Sequence, residues 1–358
     1  MKPMPPSSLT RRQAGVSLTE IMVAMAIGLA LLAVLSSLFL GNARTQSEVE
    51  AANRKIENGR YAMHLLTEDL RHAGFYGELN PVALPPATTV PAPCLAGVAS
   101  LREALRLHIQ GYDGDSALPA LGCLSDIRAG TDILVVRHAS VTVTPDSALA
   151  AGMPYFQASL CNGPDELGSA DPVDFYAIDT NAAGLDRTRR DCSTAAAKRR
   201  YLTHIYFVAN NNEDGDGIPT LKRAELGSDG ASPAFSIVPL VDGIENMQLE
   251  YGVYDDTMSA PKDYTADVGR YAADILGCVD QACVAQAWEK VTAVRLHLLA
   301  RNIAPSAGHS DDKTYRLGQK YDGTDRTVGN FSASDAAFKR HVFQTTIVLT
   351  NPAGRYAP

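Results

Sequence analysis

Residues 21–40 carry no charge and are mostly apolar, and the chain turns polar soon after them. At about 1.5 Å per residue, a helix over such a run spans the roughly 30 Å hydrocarbon layer of a bilayer. Farther on, Ala52, Ile56, Gly59, Met63, Leu66 and Leu70 recur at spacings of three and four, which is one face of an amphipathic helix. Opposite charges, Glu50 with Arg54 and Glu57 with Arg60, fall on its other faces. Gly74, behind Arg71 and His72, supplies a C-terminal stop. The pattern therefore predicts one helix over about 17–73, with residues 16–40 able to cross a membrane and 41–74 forming an amphipathic half.

Past that helix the periodicity changes. Residues 78–93 are proline-rich and aperiodic, which suits an irregular connection. Runs at 132–137, 204–208, 246–251, 291–299 and 341–349 are rich in β-branched and aromatic residues, and several alternate apolar with polar positions, as half-buried antiparallel strands do. The stretches 144–172, 181–200 and 255–284 read as long surface insertions. An α+β architecture follows, a long N-terminal helix packed on an antiparallel β-sheet, with residues 75–358 as the globular part.

Composition refines this picture. The 358 residues are 46% hydrophobic and 20% charged with a net charge of -8. That content is ordinary for a globular chain, and the acidic balance argues against a nucleic-acid surface. Six cysteines, Cys94, Cys123, Cys161, Cys192, Cys278 and Cys283, include no CxxC pair. Zinc spacing is absent, so disulfides in an oxidising compartment are the better reading. Fifteen pairings are open, and neighbours in sequence (94 with 123, 161 with 192, 278 with 283) are the expectation. No nucleophile elbow, P-loop, HExxH or dinucleotide fingerprint occurs, so no enzyme is expected. Asn212, Asp214 and Asp216 followed by Gly217 offer oxygens to a calcium ion, but the twelfth position counted from Asn212 is Arg223, where an EF-hand has a bidentate glutamate. A plain turn is the stronger expectation, and no other cofactor is.

The N-terminus carries the most specific chemistry. Lys2, Arg11 and Arg12 precede the apolar run, so the positive-inside rule keeps the leader in the cytoplasm and sends everything after residue 40 outward. Glu20 stands alone at the cytoplasmic edge of that run, where a charge carries an insertion cost. A removable secretory signal, cut near Gly41, Asn42 and Ala43, has no use for the acid. A cut after Gly15 instead creates an amino group on Val16, a cation four residues from the carboxylate. The amine of one subunit could then pair with Glu20 of a neighbour.

A basic leader ending in glycine, a glutamate at the fifth residue after it and an apolar helix resemble the class III signal of type IV pilins and type II secretion pseudopilins. That resemblance implies a leader of residues 1–15, cleavage by a prepilin peptidase between Gly15 and Val16, N-methylation of Val16 and an assembly role for Glu20. Val16 and Thr19 depart from the residues most common there in the family. Residues 60–77, 217–223, 240–252 and 294–301, in that order, further resemble the PilW-type minor pilins of the type IV pilus system. This implies a pilin-like fold and a single-pass inner-membrane protein with a periplasmic domain. It would help prime pilus assembly at the inner membrane and sit at the pilus tip, with other minor pilins, the major pilin, a large tip adhesin and the inner-membrane assembly platform as partners. The disulfide-bearing insertions lie outside these blocks. Two alternatives stay open, a type II secretion minor pseudopilin and an exported calcium-dependent binding or adhesion domain.

Overall fold

The computed structural model describes residues 15–114, 121–254, 278, 280–320 and 324–355. The chain divides into two compact units after Ala51. In the first, helix α1 (Leu18–His72) begins at Leu18, and its apolar positions from Ile21 to Leu40 are solvent-exposed throughout. The second unit begins at Ala52 and contains the rest of α1.

In that second unit α1 buries Gly59, Ala62, Leu66 and Leu70. The expected stripe is thus rotated slightly: Ala62 takes the centre, while Ala52, Ile56 and Met63 are half-buried. Gly59 is required by contact, because a Cβ there would run into the Phe343 ring. The helix ends where the pattern predicted, with Gly74 at φ +72°, a left-handed conformation that suits glycine. The Gly74 N–H donates to Arg137 O at 2.9 Å.

Twelve strands and three short helices follow among the described residues. In chain order they are α2 (Val98–Glu103), β1 (Ile109–Tyr112), β2 (Ile133–Val143), β3 (Tyr155–Ala158), β4 (Tyr176–Asp179), β5 (Lys198–Ala209), β6 (Thr220–Ser228), β7 (Pro233–Asp242), β8 (Ile244–Val253), α3 (Gln281–Glu289), β9 (Val291–Arg301), β10 (Tyr315–Gln319), β11 (Asp325–Val328), β12 (Arg340–Val348) and α4 (Thr350–Arg355). Every named strand pairing is antiparallel. Strand β5 is the spine of a seven-stranded sheet. One edge pairs with β2, which carries β1; the other is shared by β3, pairing with residues 198–200, and β6, pairing with residues 204–209. A three-stranded sheet has the order β12-β9-β8, and β10 and β11 form a ribbon.

One core joins the helix to both larger sheets. Leu66 and Leu70 share it with Leu134, Val136 and Val208 of the large sheet and with Met247, Leu249, Leu296 and Leu298 of the three-stranded one. Each such buried leucine is worth about 1.5–3 kcal/mol relative to exposure. The architecture is α+β, as the pattern implied, with two sheets on the helix where one was expected.

The expected insertions are less superficial than their composition suggested. Residues 144–172 contain β3, buried at all four positions and inserted between β5 and β4. There Phe156 meets Tyr76, with ring centroids 5.6 Å apart, and Tyr201 stacks on Tyr76 at 6.2 Å. A four-residue strand gives too few alternations to stand out from a loop. The stretch 181–200 runs into the start of β5, and most of 255–284 lies outside the described residues. Disulfides join Cys94 to Cys123, Cys161 to Cys192 and Cys278 to Cys283, with Cα atoms 5.5, 4.9 and 5.3 Å apart.

Two polar clusters fasten the unit. Arg340 of β12, with a fully buried side chain, donates from Nε to Glu245 Oε2 at 2.5 Å, from Nη2 to Glu245 Oε1 at 3.0 Å and from Nη1 to Asp311 Oδ2 at 3.2 Å. Tyr315 OH donates to the same Asp311 oxygen at 2.9 Å. At the end of α1, the Asn351 side-chain amide of α4 donates to the carbonyls of Arg71, His72 and Ala73 at 3.2–3.5 Å, and Arg355 donates to Gly74 O. These carbonyls have no partner within the helix.

Candidate functional site

The start of α1 is a reciprocal cap. Ser17 precedes the first helical residue, and Ser17, Leu18, Thr19 and Glu20 form the S-x-x-E capping box. Glu20 Oε2 accepts the Ser17 N–H at 2.9 Å, and Ser17 Oγ accepts the Thr19 N–H at 3.3 Å. This role for Glu20 was legible in the spacing but is obscured by the charge argument. Among the described residues the carboxylate meets its own helix start, and Val16, Leu18, Ile21, Met22 and Val23 around it are all exposed. Among the described residues a Cβ on Gly15 would meet nothing within 4 Å.

The most apolar 18-residue window of α1 has a mean hydropathy of 2.5 and no buried residue. A surface of that length and composition is covered by lipid or by other apolar helices. Below it, the charged positions of the helix are arranged for water: Gln46 donates to Glu50 at 3.1 Å, and Arg71 pairs with Glu68 at 3.2 Å.

The oxygen-rich loop at 210–217 is a self-contained turn. The exposed carboxylate of Asp216 accepts the N–H groups of Asn212, Glu213 and Ile218 at 3.1, 2.9 and 2.8 Å, and these backbone bonds hold its pKa below the ordinary carboxylate value. Gly215 and Gly217 take positive φ, +82° and +67°. The Lys222 ammonium donates to Asn212 O at 3.1 Å. These bonds are those of a plain turn, and the Lys222 contact is to the backbone carbonyl of Asn212 rather than to its side-chain oxygen.

A further cluster escaped the sequence reading. Asp69 of α1, His138 of β2 and His204 of β5 bring ligating atoms within 4.8 Å of one another. Asp69 accepts from His138 Nε2 at 3.0 Å, His204 Nδ1 at 2.9 Å and Tyr206 OH at 2.9 Å. Burial acts to raise the Asp69 pKa, but the charge of His204 and the hydrogen bonds from both histidines outweigh it and hold the carboxyl well below its usual range. The two histidines lie diagonally on adjacent strands and share a face, because Val136 is opposite His204 and His138 is two residues on. Sequence separations of 69 and 135 conceal the set.

An exposed apolar helix long enough to cross a membrane, entered through a capped glutamate, continues into an antiparallel α+β head. Residues 10–36 match the model described as the prokaryotic N-terminal methylation motif, and residues 205–351, from β5 into α4, match that of the type IV pilus-assembly protein W. Over these two segments the chain is similar to the N-terminal signal of the type IV pilins and to the PilW-type minor pilins, and together the matches support a PilW-type minor pilin. No curated protein sequence matches it. Among solved structures, a type IV-like pilin from Thermus thermophilus is similar at 13% identity over 56% of this chain and 84% of that one. Its TM-score of 0.24 is too low to carry an argument.

Proposed function

We propose that this minor pilin primes type IV pilus assembly at the inner membrane, with its head in the periplasm, and remains at the pilus tip. A prepilin peptidase cuts between Gly15 and Val16, Val16 is methylated, and the new amine of one subunit pairs with Glu20 of the next as the helices stack. The exposed helix carries this reading: from residue 21 to residue 40 it is apolar and uncovered, with one acid at its start. A lone carboxylate in such a setting needs a cationic partner, and the nearest cation that processing creates is the Val16 amine. The open surroundings of Gly15 support recognition by an outside enzyme. The partners are other minor pilins, the major pilin, a large tip adhesin and the assembly platform of the inner membrane.

Intact mass and terminal peptide sequencing of the protein extracted from its native membrane test the processing step. A chain starting at methylated Val16 is the expected result; a start near Arg44 would make the segment a discarded secretory signal and remove the assembly role of Glu20. Gly15→Trp is expected to leave the leader attached in nearly all of the protein, visible as a mass increase in the same measurement. Trimming of that variant at the unchanged bond would place the peptidase's recognition elsewhere.

A further inference from the structure

His138 and His204 converge on one carboxylate. The Nδ1 of His138 lies 2.9 Å from Ala139 O and donates to it, so its Nε2 is the atom that faces Asp69 Oδ1, 3.0 Å away, at a site where His138 is 5% exposed. A proton on Nε2 holds this contact in the metal-free protein, and a metal ion can take the proton's place. His204 Nδ1 points at the other oxygen of the same carboxylate.

We propose that Asp69, His138 and His204 bind a divalent transition-metal ion of the zinc class. Two imidazole nitrogens and one carboxylate oxygen are a donor set that zinc accepts, with Zn–N near 2.0–2.1 Å and Zn–O near 2.0–2.2 Å. Tetrahedral ligands at such bond lengths stand about 3.3 Å apart; His138 Nε2 lies 3.0 Å from one Asp69 oxygen and His204 Nδ1 2.9 Å from the other, and with all ligating atoms within 4.8 Å of one another the two imidazoles reach one ion by turning toward a shared oxygen. Tyr206 OH or a water supplies the fourth position. The His138 Nδ1–H bond to a backbone carbonyl is the outer contact that fixes the tautomer and ring orientation of metal-binding histidines. No thiolate competes, since free cysteines are absent among the described residues. The ion would fasten the last turn of α1 to β2 and β5 at the rim of the core. None of the three ligands lies in the segment matched by the PilW model, which begins at residue 205.

The test uses the full chain in detergent, purified without a polyhistidine tag, stripped with chelator and titrated with Co2+ and then Zn2+. One equivalent of Co2+ per chain is expected, with the intense visible absorption of a four-coordinate site, displaced by one equivalent of Zn2+. His138→Gln combined with His204→Gln is expected to weaken binding at least about 100-fold, while His341→Gln leaves it unchanged. Asp69→Asn keeps a hydrogen-bond acceptor and removes the charge, and is expected to weaken binding with the near-ultraviolet circular dichroism intact. If the histidine variants do not fold, X-ray absorption of the zinc-loaded wild type decides the question, with two imidazoles and no sulfur expected. Absence of stoichiometric binding, binding that survives the double substitution, or a coordination shell without two imidazoles would overturn the proposal.

Discussion

Cells carrying Glu20→Val are expected to make, insert and trim the protein normally and yet to lose most of their surface pili. A charge-assisted hydrogen bond is worth about 1.5–3 kcal/mol net, and about 1.4 kcal/mol is a factor of ten in an equilibrium. Loss of one such bond at the step that starts a filament should lower pilus number roughly ten- to hundredfold, counted by electron microscopy or as sheared pilin. Because Glu20 also closes the Ser17 capping box, the substitution removes a helix cap. Glu20→Gln separates the two roles, since its amide oxygen can still accept the Ser17 N–H but carries no charge. Failure of both variants assigns the effect to charge; failure of valine alone assigns it to the cap. Wild-type piliation in the valine variant, at normal protein level, would falsify the assembly role.

Arg340→Met is expected to be the most damaging single change in the head. It removes the arginine of Asp311 and leaves Glu245 only the longer contacts of Arg128 and Arg301, at 3.5 and 3.6 Å, and breaking a buried pair in this way costs about 3–5 kcal/mol. The loss should appear as a large fall in the urea midpoint followed by near-ultraviolet circular dichroism; a fall of less than about 1 kcal/mol would mean that water reaches the cluster. The same cluster ties stability to acid. Burial acts to raise the Asp311 pKa, but the Tyr315 and Arg340 hydrogen bonds outweigh it and depress the value below the ordinary 3.8. A carboxyl with a depressed folded pKa contributes stability that is complete above its unfolded value and is lost as pH falls through the folded one. The Asp311 contribution should therefore fade below about pH 3.8, and the acid-unfolding curve of Arg340→Met should lose that component.

The helix was legible because its signals agree over a long span: an uncharged run, then a stripe at spacings of three and four, then Gly74. The strands at 133–143, 198–209, 244–253, 291–301 and 340–348 were legible for the same reason, in that their apolar content exceeds what a loop holds. Strands β3 and β4 are four residues each, too short for alternation to register. Strand β7 carries two prolines, Pro233 and Pro239, a composition that reads as a break although an edge strand accepts it. At the N-terminus the positions of Gly15, Val16 and Glu20 could be read because leader chemistry is local. The cap at Ser17 was equally local and was overshadowed by the search for a distant partner. The Asp69, His138 and His204 cluster and the Arg340 pairs join residues tens to hundreds of positions apart, and only the pairing of β2 with β5 and of β12 with β9 and β9 with β8 brings them together. Nothing in residue spacing encodes such pairings.

The Asn351 amide that covers the last carbonyls of α1 comes from 280 residues farther along the chain. A polypeptide crossing the membrane with its anchor first delivers the helix at the beginning and its lid at the end. Until residue 351 has crossed, the carbonyls of Arg71 and Ala73 lack the Asn351 amide and Gly74 lacks its Arg355 contact. The end of the helix is thus closed only by a chain delivered as far as residue 355. A chain stopped before residue 350 is expected to show rapid amide exchange over residues 70–75, and slow exchange there would mean that the turn is held by the sheet alone.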